Sequence, residues 1–128
     1  MNKKIIKTEN APSPIGPYNQ AVESHGIIYA SGQIAIDPQT GEMVGNKDVK
    51  AQTKQVMANI KAILNKAGLT FNNVLKSSIF LKDLNDFDSV NEVYGNYFVA
   101  ETAPARECIE VVRLPKDALV EISIVAVR

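Results

Sequence analysis

The chain has one cysteine and one histidine, which removes two classes of chemistry. A lone cysteine cannot form an internal disulfide, and one histidine with one cysteine falls short of the ligand count of an ordinary zinc site. Metal-assisted hydrolysis is therefore not expected, and no cofactor is implied. Charge of one sign is missing as well: fourteen basic residues balance fourteen acidic ones, and no Lys/Arg cluster is longer than Lys3-Lys4. That pattern gives nucleic acid or anionic lipid no basic footprint to bind. Long apolar runs are also absent. Met1 to Thr8 holds no stretch fit for a signal peptide, and no segment approaches the roughly 20 apolar residues of a membrane span. The expectation is a soluble cytoplasmic protein with no nucleic-acid or membrane partner.

What is present fits one domain over residues 1–128, a length that buries roughly two-thirds of its unfolded surface. Pro12, Pro14, Gly16 and Pro17 forbid regular structure and make an ordered, extended loop. Tyr18 to Glu23 and Ile27 to Gln33 read as strands around a Ser24-His25-Gly26 turn, and Asp37 to Gly41 is a second turn. From Asp48 to Ala67 apolar residues recur at threes and fours (Val49, Val56, Ile60, Ile63, Leu64), with Gly68 as the stop. Asn73 to Leu81 follows as a strand. Asp83 to Asp86 offers N-caps for a second helix that buries Phe87, Val90, Tyr94, Tyr97 and Phe98. Arg106 to Leu114 and Leu119 to Val127 are the last strands, joined through Pro115-Lys116-Asp117.

This order predicts an α+β fold with two helices on one face of a sheet of five to six strands. Both faces of the last strand are mainly apolar, yet two helices cover only one. The other face is expected to meet copies of the same chain.

Arg106, Cys108 and Glu121 stand out because they interrupt apolar strands, where unpaired charge costs desolvation. Arg106 reads either as an edge arginine paired with a surface carboxylate or as a clamp for a small 2-oxo or 2-imino acid, whose carboxylate its planar fork matches bidentately. Cys108 lacks a base, since His25 belongs to a turn, and is read as pocket lining. Glu121 is either a solvent-facing carboxylate or a half-buried proton handler with a raised pKa. Asn91 borders the second helix's apolar stripe. Ser31-Gly32 ends an apolar strand where a ligand can approach the backbone, and Tyr18 projects from the proline-rich loop. Were the last two strands a tight hairpin, Arg106 and Glu121 would lie about 20 Å apart, so they could share a pocket only between subunits or in another pairing.

Ala11-Pro12 through Gly16-Pro17-Tyr18, Ser31-Gly32-Gln33, Lys82 to Phe87, Val90-Asn91 and Pro104-Ala105-Arg106, with Cys108, Glu110 and Arg113 to Asp117, together resemble the RidA (YjgF-type) family along essentially the whole chain. The resemblance implies a trimer with a chorismate-mutase-like mixed sheet, pockets at subunit interfaces, and hydrolysis of enamine/imine intermediates to 2-oxo acids and ammonia. By position it makes Arg106 the carboxylate ligand and Glu121 the water-orienting or proton-moving group, with Tyr18, Ser31, Gly32, Asn91 and Cys108 lining the pocket for a small 2-imino or 2-oxo acid. Glu107 departs from the small residue usual in that family. Two other readings stand beside this one: a 2-oxo-acid-sensing or protein-partner module without turnover, and an endoribonuclease or translation inhibitor, against which the even charge argues.

Overall fold

A computed structural model describes residues 2–128. Six strands form one sheet in the order β1-β2-β3-β6-β4-β5: β1 Lys4–Ile6, β2 Ala21–Ser24, β3 Ile27–Gln33, β4 Val74–Leu81, β5 Ala105–Glu110 and β6 Val120–Val127. Only the β4–β5 pair is parallel, so the sheet is mixed. Helices α1 (Val49–Lys66) and α2 (Phe87–Tyr94) pack together over one face, as the expected α+β architecture requires.

The amphipathic segment becomes α1 at the expected place. Asp48 caps its start by accepting from the Ala51 N–H, and Ala67 and Gly68 end it. The capping bond satisfies a backbone donor that the first turn leaves unpaired. Its inner stripe, with Val56, Met57, Ile60, Ile63 and Leu64, meets Ile28, Ile79, Leu81, Val120, Ile122 and Ala126 from the sheet in one core.

Several boundaries differ from expectation. The first predicted strand starts at Ala21 and not Tyr18, because Gln20 is bonded into the preceding loop. Strand β1 has no signal of its own, since Ile6 is its only buried residue. Helix α2 stops at Tyr94 and gives way to a 3-10 turn over Gly95–Tyr97. Tyr97 and Phe98 are consequently not helical stripe residues; they join Phe71 and Tyr94 in an aromatic cluster with centroids 4.7 to 5.5 Å apart.

Strands β5 and β6 do not form a hairpin. Segment 111–119 swings around the end of β4, tied there by Val111 N–H to Leu81 O, Lys82 N–H to Leu119 O and Lys82 Nζ to the Val112 carbonyl. As a result β4 lies between β5 and β6. The face away from the helices is left open, with Tyr29, Leu75 and Ile109 each about half exposed (51%, 53% and 47%).

Candidate active site

Ser31 and Gly32 form a β-bulge. Ala30 pairs with Ile124 and Gln33 with Ile122, so both residues stand opposite the single Ser123. The extra residue shifts the alternation of the strand, turning Gln33 into the buried layer. The bulge also leaves a floor on which Glu121 lies. A Cβ on Gly32 would sit 2.6 Å from Glu121 Oε2 and 2.8 Å from its Cδ, so only a glycine lets the carboxyl occupy this place.

Above this floor is a cavity of about 590 Å³. Tyr18, Ile15 and Pro12 wall one side, Ile34 and Ile36 another, and Pro115 and Lys116 a third. Burial alone pushes the Glu121 carboxyl above the ordinary carboxylate range. A carboxyl poised in this way can take a proton from water and return it to a leaving group.

The walls are irregular backbone pinned by buried amides. Gln20 donates to the carbonyls of Thr8, Ala11 and Pro12 and accepts from the Thr8 N–H, fixing the proline-rich loop. Asn59 of α1 donates to Ile34 O and Ile36 O. Gln52 accepts from Leu119 N–H and donates to Gly45 O, anchoring the segment that leads into β6. Lys116 of the third wall and Asp117 after it, at φ 54° and 55°, are consecutive left-handed residues. Such a conformation persists only where its surroundings over-determine it; here the Asp117 N–H donates to Leu114 O and the Ala118 N–H to Pro115 O, between the buried side chains of Leu114 and Ala118.

Sequence reasoning passed over these amides and the Lys116 wall. A signal existed for two of them: Gln52 and Asn59 fall at helical spacing within the apolar stripe of α1, where a polar side chain must find a buried partner.

The structure brings Tyr18, Ser31, Gly32 and Glu121 together but sets Arg106, Asn91 and Cys108 elsewhere. Arg106 pairs in register with Ser77 of β4, which faces the helices, whereas Glu121 pairs with Phe80 on the open face. Within one chain the two are on opposite faces, about 10 Å apart across the sheet and about 10 Å along it by strand geometry. Ser31 Oγ donates to the Asn19 carbonyl at 2.6 Å, so its proton is committed to holding the loop. Tyr18 Oη likewise accepts from the Ile15 N–H at 3.3 Å.

Arg106 is not the edge arginine paired with a surface carboxylate. No acidic side chain forms an ion pair with it among the described residues. Its Nη1 donates to Asn91 Oδ1 at 2.6 Å, and its guanidinium carbon lies 5.2 Å from the Tyr94 ring centroid and 5.6 Å from that of Phe87. Each such contact at an exposed site is worth about 0.5–1 kcal/mol. Cys108 shares this face; burial raises its thiol pKa and the Arg106 charge pulls it back down. A thiol so raised is a poor nucleophile. Glu107 turns to the open face, where it bonds Ser78 and pairs with Lys76 Nζ at 3.2 Å.

A family model described as Endoribonuclease L-PSP matches residues 8–128. A RutC family protein of Synechocystis is 55% identical over 127 residues, covering 99% of this chain and 98% of that one. The 2-iminobutanoate/2-iminopropanoate deaminase of Escherichia coli K12 is 50% identical over 127 residues, with 98% of both chains covered. The crystal structure of Escherichia coli TdcF with bound serine superposes with a TM-score of 0.90 at 46% identity, again over 98% of each chain.

Proposed function

We propose, on the premise that this chain belongs to the Endoribonuclease L-PSP family, the family of the RidA (YjgF-type) proteins, that it is a deaminase hydrolysing 2-iminobutanoate and 2-iminopropanoate to 2-oxo acids and ammonia. Relatives about 50% identical over nearly the whole chain are named for that activity. The serine held by a solved relative is a ligand of matching size, with a carboxylate beside a nitrogen-bearing carbon.

The observation that carries the proposal is a pair of incomplete half-sites. The Glu121 cavity contains a proton-handling carboxyl and no arginine; the β5 edge presents Arg106 with no acid upon it. A trimer in which the Arg106 edge of one subunit closes the Glu121 cavity of its neighbour makes one complete pocket from the two, and it gives the half-exposed apolar face a partner.

In that pocket Arg106 binds the substrate carboxylate and fixes the imine carbon over Glu121. Water adds to the carbon of the protonated imine as Glu121 accepts its proton. Glu121 then returns that proton to nitrogen, the C–N bond breaks, and the re-ionised carboxylate takes the hydroxyl proton and passes it to the departing ammonia, which leaves as ammonium while the oxygen becomes the 2-oxo group. A protonated imine is electrophilic already, so positioning and proton transfer suffice.

Coupling the protein to a threonine dehydratase and following imine decay tests the reading. Wild type shortens the imine lifetime and Arg106→Ala, intact as an oligomer, does not. No acceleration by wild type, or full acceleration by the variant, overturns it. Binding of 2-oxobutyrate without turnover would mark a sensing module instead, and steep salt-dependent RNA binding would mark a nuclease.

A further inference from the structure

Phe87, Asn91 and Tyr94 lie at positions i, i+4 and i+7 of α2, on one helical face, and all three contact a single guanidinium. We infer that they are positioning residues, which aim Arg106 at the substrate carboxylate while leaving its carboxylate-binding donors unused. The inference deepens the deaminase reading and rests on it.

An arginine side chain is long and must be held to act as an anchor. The common way to hold one is a carboxylate, but a carboxylate matches the guanidinium fork and would compete with the substrate for the same donors. Here the holding is done by groups that cannot compete in that way. The ring faces of Phe87 and Tyr94 attract the charge without accepting its N–H bonds in the guanidinium plane. Asn91 takes a bond from Nη1 alone, out of five N–H donors.

The cradle is also tied to the sheet beneath it. Buried Tyr94 donates its hydroxyl to Ser77 Oγ at 2.9 Å, and Ser77 is the register partner of Arg106 itself. The ring and the strand bearing the arginine are therefore fixed to the same point on β4. Asn91 becomes a positioning residue through this geometry, in place of the pocket-lining role expected for it.

Steady-state kinetics on 2-iminobutyrate, with 2-oxobutyrate as competitive inhibitor, tests the cradle. Removing either ring, by Phe87→Leu or Tyr94→Leu, raises KM and the inhibitor Ki together by about two- to fivefold and leaves kcat unchanged within error. Tyr94→Phe keeps the ring and holds both constants near their wild-type values. Asn91→Asp keeps an acceptor at the same place but adds the competing charge, so it raises KM at least as much as Asn91→Ala. Tyr94 is in the core; should Tyr94→Leu not fold, the half-buried Phe87 carries the test. Unchanged KM and Ki in the folded ring variants, or a fall in kcat alone, overturns the inference. Wild type that leaves imine lifetime unaltered would sink the deaminase reading instead, and titration of 2-oxobutyrate into wild type and Phe87→Leu would still test the cradle.

Discussion

The Glu121 cavity and the Arg106 cradle handle charge in opposite ways. Glu121 is withdrawn from water onto a bulge, and burial raises its pKa so that a proton can come and go. Arg106 stays at an exposed edge, held by two rings and an amide, with no acid to neutralise it. A proton carrier gains from a perturbed pKa, whereas an anion anchor gains from undiminished charge. The cavity is accordingly built from irregular backbone: a bulge, a proline-rich loop and a left-handed turn. The cradle is built from regular periodicity along one helix and one strand.

The largest effect comes from separating the two halves. Arg106→Ala and Glu121→Ala are each expected to lower kcat/KM by roughly 10²–10³-fold, the scale of losing a charge-assisted anchor or a proton carrier. If the halves come from neighbouring subunits, refolding the two inactive variants together at equal concentration restores about one quarter of wild-type activity, since each interface needs one intact half from each of two chains chosen at random. Activity of the mixture no greater than the sum of the separate variants would mean that the halves are not shared across an interface.

The same contrast explains what the sequence reveals. Helix α1 and strand β4 follow from the periodicity of their apolar residues, which is local. Arg106 and Glu121 are legible one at a time, as charges among apolar neighbours. Their relation is not, because it depends on β4 lying between β5 and β6. Pro115-Lys116-Asp117 looks like a hairpin turn, yet Lys82 and Leu81 bonds draw the connection around β4 instead. Phe87 and Tyr94 read as core because aromatic residues on a helical stripe usually are. Both also serve as ring faces for a cation, which no spacing rule distinguishes.

A smaller effect, confined to the cavity, is expected from Gly32→Ala. The atoms that a new Cβ would meet belong to the flexible end of Glu121, not to backbone. The carboxyl therefore moves and the fold tolerates the change. The expected result is a fall in kcat of about ten- to a hundredfold with a stability loss of about 1 kcal/mol or less, read from turnover and from the denaturation midpoint. A large stability loss with kcat preserved would show that the bulge serves the fold and not the acid. Cradle variants divide the other way, moving KM.

The smallest effect is thermodynamic and distinguishes the two regions by pH. A carboxyl whose pKa is raised on folding binds its proton more tightly in the native state. Its contribution to stability is full below the unfolded pKa and is lost as pH rises through the folded one. At neutral pH the ionised Glu121 thus weighs against the native state, and Glu121→Gln removes that burden. Thermal unfolding should show the variant melting about 1–2 °C above wild type near pH 7, a modest gap because the group is partly solvated. The gap should close as pH falls below about 4.3, the unperturbed glutamate value, where both side chains are neutral. Phe87→Leu, which adds and removes no titrating group, should shift the melting temperature by nearly the same amount across that range. A Glu121→Gln gap that is flat with pH would mean that the carboxyl is not desolvated, and the contrast between a half-buried acid and an exposed cation would fail at its acidic end.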